Sequence, residues 1–433
     1  MELHTRPVTG LSGRVSVPGD KSITHRALLL GGIGDGTSRI DGFLDSGDCR
    51  ATIGCLQALG IRIERPASST LQVHGKGLRG LAPAQEALDC IRSGTTMRLM
   101  AGLLAGQTFD SVLTANQQLL ARPMDRVIGP LRSMGACISG GEGDRFPPLA
   151  ITGSPLRGAV CVLPMASAQV KSAILLAGLY AEGPTTVQEP GPSRDHTERM
   201  LTARGVPVHS EGLVHTLRGP APRLSALDVR VPGDFSSAAF PIVAALLVPH
   251  SDIVVENVGI NPTRTGLLDS LLAMGADITL EECRQEGGEP VADLRVRSSD
   301  LQGVSIGGDL VPRTIDEFPI LALAATQASG HTRVRDAAEL RVKETDRIAT
   351  TVTTLRTLGA KIEPAPDGFD IMGPTPLKGA ELHSFADHRL GMTIAVAGLI
   401  AVGGTVLTDA ERIADSYPGF EATMARLAGG ARA

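Results

Sequence analysis

Apolar and polar positions along the 433-residue chain follow one pattern that returns six times. In each copy an amphipathic stretch runs into a glycine, and a short apolar run follows. The copies read Leu56-Gln-Ala-Leu-Gly60-Ile-Arg-Ile, Leu131-Arg-Ser-Met-Gly135-Ala-Cys-Ile and Leu201-Thr-Ala-Arg-Gly205-Val-Pro-Val. They continue as Leu271-Leu-Ala-Met-Gly275-Ala-Asp-Ile and Leu355-Arg-Thr-Leu-Gly359-Ala-Lys-Ile, with a degenerate sixth ending at Gly429. Successive glycines are 75, 70, 70, 84 and 70 residues apart. A glycine past the last helical turn suits a left-handed cap, and the run after it predicts a strand.

Six other stretches open polar and then turn apolar on every side, from Lys21, Ser93, Ser167, Asp234, Asp316 and Asp387 onward. Ser172-Ala-Ile-Leu-Leu-Ala-Gly-Leu-Tyr180 is typical. A helix with no polar face is a buried one. Each copy therefore predicts one buried helix, one amphipathic helix and several short strands, an α/β (α+β) architecture.

A longer repeat overlies the short one. Val17-Pro-Gly-Asp-Lys-Ser22 returns as Val231-Pro-Gly-Asp-Phe-Ser236, 214 residues later. Three copies per half predict two homologous domains: residues 1–19 with 234–433, and residues 20–233. Length agrees, since single cores stop growing near ~250–300 residues.

Composition narrows the partners. No Trp, two Tyr and nine Phe make the cores aliphatic, and a net charge of −5 argues against a nucleic-acid surface. The N-terminus lacks a signal-peptide pattern, and no apolar run reaches the ~18–20 residues of a membrane span, so a cytoplasmic protein without membrane contact is expected. The six cysteines (Cys49, Cys55, Cys90, Cys137, Cys161, Cys283) form no C-x-x-C pair and read as reduced core thiols. His25, His196, His331, His383 and His388 follow no metal-ligand spacing. The Walker A pattern is absent from the chain.

Charge at the helix starts carries the chemistry. Ser, Thr and Asp there are ordinary N-caps. Lys21, Gln169 and Arg389 are not. A cation at the positive end of a helix is unfavourable unless an anion joins it, and unpaired N–H groups beside a cation bind anions. Arg122-Pro-Met, Arg194-Asp-His-Thr-Glu198 and Arg341-Val-Lys-Glu-Thr-Asp-Arg347 add to the set. In the last, Lys343 and Arg347 at i, i+4 are expected on one helical face. Asp316 reads equally as an N-cap or as a general base set among cations, and Glu344 as a proton donor kept neutral by desolvation or as a solvated acid.

Taken in order, Val17–Arg26, Ser93-Gly-Thr-Thr-Met-Arg98, Arg122-Pro-Met, Ser167-Ala-Gln-Val-Lys171, Arg341–Arg347 and Asp387-His-Arg389 closely resemble the 5-enolpyruvylshikimate-3-phosphate synthases along essentially the whole chain. The resemblance implies an inside-out α/β barrel of the enolpyruvyl transferase type, with two domains of three βαβαββ-type repeats closing on substrate. It implies transfer of the enolpyruvyl group of phosphoenolpyruvate to the 5-hydroxyl of shikimate 3-phosphate, with no cofactor or metal and a monomeric enzyme. By motif, Lys21, Ser22, Arg26, Ser167, Ala168, Gln169, Arg194, Asp316 and Lys343 would meet shikimate 3-phosphate. Lys21, Gly94, Arg122, Gln169, Arg347 and Arg389 would meet phosphoenolpyruvate. Asp316 would take the hydroxyl proton, while Glu344 or Lys21 would protonate the methylene carbon.

The chain departs from the common pattern at Ile91-Arg92, where the family usually has Gly-Asn. Ala168, Asp415 and Asn261-Pro-Thr-Arg264 resemble the class II, glyphosate-tolerant branch, although Gly94 is retained. Two rivals remain. A UDP-N-acetylglucosamine enolpyruvyl transferase usually has a reactive Cys near the position of Arg122, whereas Gln117–Arg122 has none and Cys137 is expected in the core. A non-catalytic phosphosugar-binding protein would lack the acid and base that Asp316, Glu344 and Lys21 supply.

Overall fold

A computed structural model of the chain describes residues 1–429. These residues divide into two compact units. The terminal unit comprises Met1–Pro18, Pro232–Arg284 and the chain from Pro290 onward, and the central unit comprises Gly19–Val231 with Gln285–Glu289. Each unit has its own aliphatic core.

The described residues form six small sheets, three per unit, and five of them repeat one order. A short strand pairs parallel with a longer one, and a hairpin completes the sheet antiparallel. Thus Leu88–Asp89 lies parallel to Ser111–Thr114, which pairs antiparallel with Phe146–Thr152, itself paired with Cys137–Gly140. Between the first and second strands runs a buried helix, Gly94–Ala105, and between the second and third an amphipathic one, Asp125–Ser133. The sixth sheet has three strands: Glu381–Leu382 parallel to Thr405–Leu407, with Leu3–Thr5 antiparallel at its edge.

The six buried helices are Lys21–Gly32, Gly94–Ala105, Ala168–Gly178, Phe235–Leu247, Phe318–Gln327 and His388–Ala397. In Phe235–Leu247 every residue but Leu247 is buried, and each fully buried Leu or Ile contributes about 1.5–3 kcal/mol. Five of the six are capped as their sequences predict. Asp20, Ser93, Ser167, Asp234 and Asp387 each accept a backbone N–H from the first turn. Gly60, Gly135, Gly205, Gly275 and Gly359 all have φ between 83° and 95°, the left-handed cap that the ladder predicts.

The repeated V-P-G-D phrase sits where the chain passes from one unit to the other. A Cβ on Gly19 would lie 1.9 Å from the Gly42 carbonyl oxygen, and one on Gly233 would lie 2.8 Å from a Val17 methyl. Only glycine permits either approach.

Three expectations change. The fifth buried helix starts at Phe318, not at Asp316, and has no side-chain cap. Pro319, which lacks an N–H, occupies its first turn, and Asp316 falls in the turn after the helix Leu310–Thr314. Lys343 and Arg347 do not share a helical face. A 3₁₀ helix covers Ala338–Val342, Lys343 is extended, and Asp346 caps a new helix, Arg347–Thr357, accepting from Ile348 and Ala349 at 3.1 and 3.0 Å. Cys137 and Cys283 are exposed, while the other four cysteines are buried; strand alternation turns Ile138 inward instead of Cys137.

Candidate active site

In the central unit, Lys21 is the first residue of its helix, and its ammonium lies 3.4 Å from Asp48 Oδ2. Arg92 Nε approaches Asp48 Oδ1 at 3.9 Å. Burial alone would push the Asp48 carboxyl up. Lys21 and Arg92 more than offset this and hold it below the usual carboxylate range.

One turn on, Arg26 is 3% exposed. Its guanidinium donates to Thr197 Oγ1 at 2.7 Å, Ser172 Oγ at 2.6 Å and the Ser22 carbonyl at 2.9 Å. Burial among these neutral groups lowers its pKa to about 10. Arg194 donates to Ser22 Oγ at 3.5 Å, so Ser22, Arg26 and Arg194 form one group.

The helix starts at Gly94 and Ala168 meet through side chains. Arg98 donates to Gln169 Oε1 at 2.7 Å, and Gln169 donates to Thr95 Oγ1 at 2.9 Å. Ser167 caps its helix by accepting from Val170. Ala168 and Gly94 are the first residues of their helices, where backbone N–H groups have no intrahelical partner. Arg122 lies half-buried between the short helix Gln117–Leu120 and Asp125–Ser133.

In the terminal unit the cations meet acids. Arg347, 2% exposed, donates to Asp387 Oδ2 at 2.8 Å, Glu344 Oε2 at 2.7 Å and Asp316 Oδ1 at 3.3 Å. Arg389 NH2 lies 3.6 Å from Asp316 Oδ2, so Asp316 sits between two guanidiniums. Behind them Arg264 donates to Asp234 and Ser236, and Ser236 donates to the buried Glu317. Burial and the neighbouring Asp316 push the Glu317 carboxyl up.

Burial lowers the Arg347 pKa, but Glu344, Asp387 and Asp316 overcome it and raise it above the ordinary arginine value. Glu344 corrects an expectation. Burial favours its neutral form, yet Arg347 at 2.7 Å outweighs burial and holds the carboxyl well below the usual range. The ion pair with Arg347, rather than desolvation, dominates its surroundings. Lys343 stands apart from this cluster, paired with Glu339 at 3.3 Å.

Several partners escape the sequence reading. Asp48 looks like an ordinary first-turn acid, and Arg98 ends the quoted Ser93–Arg98 motif without any sign of its reach to Gln169. Lys171, fully buried, lies 2.6 Å from Glu189 and 2.8 Å from Glu198. Those acids come from separate elements that spacing does not connect.

Among the described residues no group of three His, Cys, Asp or Glu side chains is placed to hold a metal ion. No described helix is long and apolar enough to cross a membrane. Residues 5–424 match the family model described as EPSP synthase (3-phosphoshikimate 1-carboxyvinyltransferase). The chain is 52% identical over 420 residues to the 3-phosphoshikimate 1-carboxyvinyltransferase of Desulforudis audaxviator strain MP104C, covering 97% of this chain and 98% of that one. It is 51% identical to the protein of the same name from Bacillus thuringiensis subsp. konkukian strain 97-27, covering 99% of each. A solved structure of EPSP synthase from Acinetobacter baumannii superposes with a TM-score of 0.92 at 44% identity, covering 98% of each chain.

Proposed function

The chain belongs to the EPSP synthase family, and from that premise we propose how its residues carry the 3-phosphoshikimate 1-carboxyvinyltransferase reaction. The enzyme moves the enolpyruvyl group of phosphoenolpyruvate onto the 5-hydroxyl of shikimate 3-phosphate and releases phosphate, a step of the shikimate pathway to aromatic amino acids.

Lys21, Ser22, Arg26, Ser167, Gln169, Arg194, Asp316 and Lys343 hold shikimate 3-phosphate, with Ala168 contributing its backbone N–H. Lys21, Gly94, Arg122, Gln169, Arg347 and Arg389 hold phosphoenolpyruvate. Guanidinium forks suit phosphate and carboxylate oxygens, and the helix starts at Lys21, Gly94 and Ala168 add oriented N–H donors.

The observation that carries the chemistry is the Asp316 carboxylate between Arg347 and Arg389. Asp316 takes the proton of the 5-hydroxyl as its oxygen attacks C2 of phosphoenolpyruvate. A proton reaches C3 at the same time, giving a tetrahedral phosphoketal. The bond between C2 and the bridging oxygen of the phosphate then breaks, phosphate leaves with that oxygen, and C3 returns its proton to the group that gave it, forming the enol ether. Lys21, at the first position of its helix, is one donor of this proton. Glu344 gains one only when a substrate anion competes for Arg347 and weakens its ion pair. The cations stabilise the charge on the departing phosphate.

The test is phosphate release from phosphoenolpyruvate mixed with shikimate 3-phosphate or with UDP-N-acetylglucosamine. Release with the first acceptor alone is expected. Release with the second, or binding without release, would overturn the reading. The enzyme acts in the cytoplasm as a monomer, which sedimentation with and without substrates checks.

A further inference from the structure

The turn between the strand Glu381–Leu382 and the helix His388–Ala397 holds two consecutive non-glycine residues in the left-handed region, Phe385 at φ 54° and Ala386 at φ 60°. A Cβ disfavours that region. Both residues are exposed, so no packed core drives them into it. Backbone outliers of this kind persist only where their surroundings impose them, and they gather at functional sites.

Here a carboxylate imposes them. Asp409 accepts from the Ser384 N–H at 2.7 Å, the Ser384 hydroxyl at 2.6 Å and the Ala386 N–H at 3.4 Å. Asp409 also occupies the N-cap position of the 3₁₀ helix Ala410–Asp415, yet its side chain makes no cap bond there. A carboxylate at a helix start normally satisfies its own first turn. This one reaches instead to a turn 25 residues earlier.

The turn leads directly into the site. The Asp387 N–H donates to the Ser384 carbonyl at 2.9 Å, so the place of Asp387 follows from that of Ser384. Asp387 in turn accepts from the Arg389 N–H at 2.9 Å and from Arg347 Nε at 2.8 Å. His383 stacks on Phe385 with ring centroids 4.9 Å apart. We propose that Asp409 is a positioning residue for the transferase reaction, clamping the left-handed turn that sets Asp387 on Arg347 and aims Arg389. The inference rests on the assignment of Arg347 and Arg389 to phosphoenolpyruvate.

The experiment compares Asp409→Ala, Ala386→Gly, their double variant and Arg389→Gln in steady-state kinetics with each substrate varied. Asp409→Ala raises KM for phosphoenolpyruvate about tenfold, since a small misplacement of binding groups is costly, and leaves KM for shikimate 3-phosphate within about twofold. Glycine adopts φ near 60° without a Cβ clash. Ala386→Gly therefore stays near wild type alone, and in the double variant it returns KM for phosphoenolpyruvate to within about threefold of wild type. Equal rises in both KM values, no recovery with Ala386→Gly, or wild-type kinetics in Asp409→Ala would each overturn the clamp. Should Asp409→Ala fail to fold, Ser384→Ala removes one of the three donors and shifts the same KM less; no shift there overturns the proposal. Arg389→Gln separates the two readings. If it leaves KM for phosphoenolpyruvate unchanged, the assignment of Arg389 fails; if it raises that KM and Asp409→Ala does not, only the clamp fails.

Discussion

Arg26 and Arg347 are both buried guanidiniums, 3% and 2% exposed, with opposite surroundings. Arg26 donates only to hydroxyls and a carbonyl, and burial lowers its pKa to about 10. Arg347 donates to three carboxylates, which raise its pKa above the ordinary value despite the same burial. The two sites therefore handle an anion differently. At Arg26 a dehydrated cation is fixed by neutral partners, and an incoming phosphate supplies the missing charge. At Arg347 negative charge already exceeds positive, so a substrate anion displaces a carboxylate or brings a proton with it. One arrangement binds; the other couples binding to proton movement.

Removing the base breaks the comparison most severely. Asp316→Asn keeps the size of the side chain and a weak tie to Arg347 but cannot take a proton. Turnover is expected to fall by about 10²–10⁴-fold, the usual contribution of a general base, while calorimetry shows shikimate 3-phosphate binding retained. Near wild-type turnover would reduce the Asp316–Arg347–Arg389 cluster to a structural element.

Next come the arginines themselves. Arg347→Gln leaves three carboxylates facing one another, and breaking a buried ion pair on one side costs about 3–5 kcal/mol. Arg26→Gln leaves neutral acceptors short of a donor, worth about 1–3 kcal/mol, although shikimate 3-phosphate binding suffers. Urea unfolding measures both. The pH dependence sharpens the contrast. Glu344 and Asp387 lie below their ordinary values of 4.5 and 3.8 in the folded protein. Their contribution to stability is therefore present above those values and is lost as pH falls below them toward the folded pKa. In Arg347→Gln that contribution is gone and the crowded carboxylates take up protons more readily, so its deficit is larger at pH ~7.5 than at pH ~5. The Arg26→Gln deficit stays level over that range. Equal costs with equal pH dependence would erase the distinction.

The same contrast marks where sequence reading worked. The glycine ladder is legible because a left-handed cap after a helix selects glycine over any side chain, and the helix starts because Ser and Asp cap by a local bond. Locality is the common cause. Lys343 and Arg347 misled because i, i+4 spacing predicts one face only inside a single helix, and the Asp346 cap begins a new one between them. Asp316 misled because Pro319, two residues into the helix, hides where the first turn begins. The charge state of Glu344 follows from the direction in which Arg347 points, and the Lys171–Glu189–Glu198 cluster joins elements distant in sequence. Motif order named the cations, but only three-dimensional contacts separate those held by neutral partners from those held by acids.

The smallest effect tests how yielding the central unit's contacts are. A Cβ on Gly94 would lie 2.7 Å from Arg98 NH1, the far end of a flexible side chain, and 3.6 Å from a Leu119 methyl. Gly94 has helical geometry, so alanine adds no backbone strain, and the only group that must move is the Arg98 guanidinium. Its movement loosens the bond to Gln169 at 2.7 Å. A single hydrogen bond to a charged group is worth about 1.5–3 kcal/mol at most, and a flexible arginine recovers part of it. Gly94→Ala should raise KM for phosphoenolpyruvate by roughly three- to tenfold, about 0.6–1.4 kcal/mol and so below that ceiling, with kcat and melting temperature nearly unchanged. A collapse of kcat would mean that Arg98 and Gln169 hold their positions as tightly as Arg347 holds its carboxylates, and the contrast between a yielding binding site and a fixed catalytic one would fail.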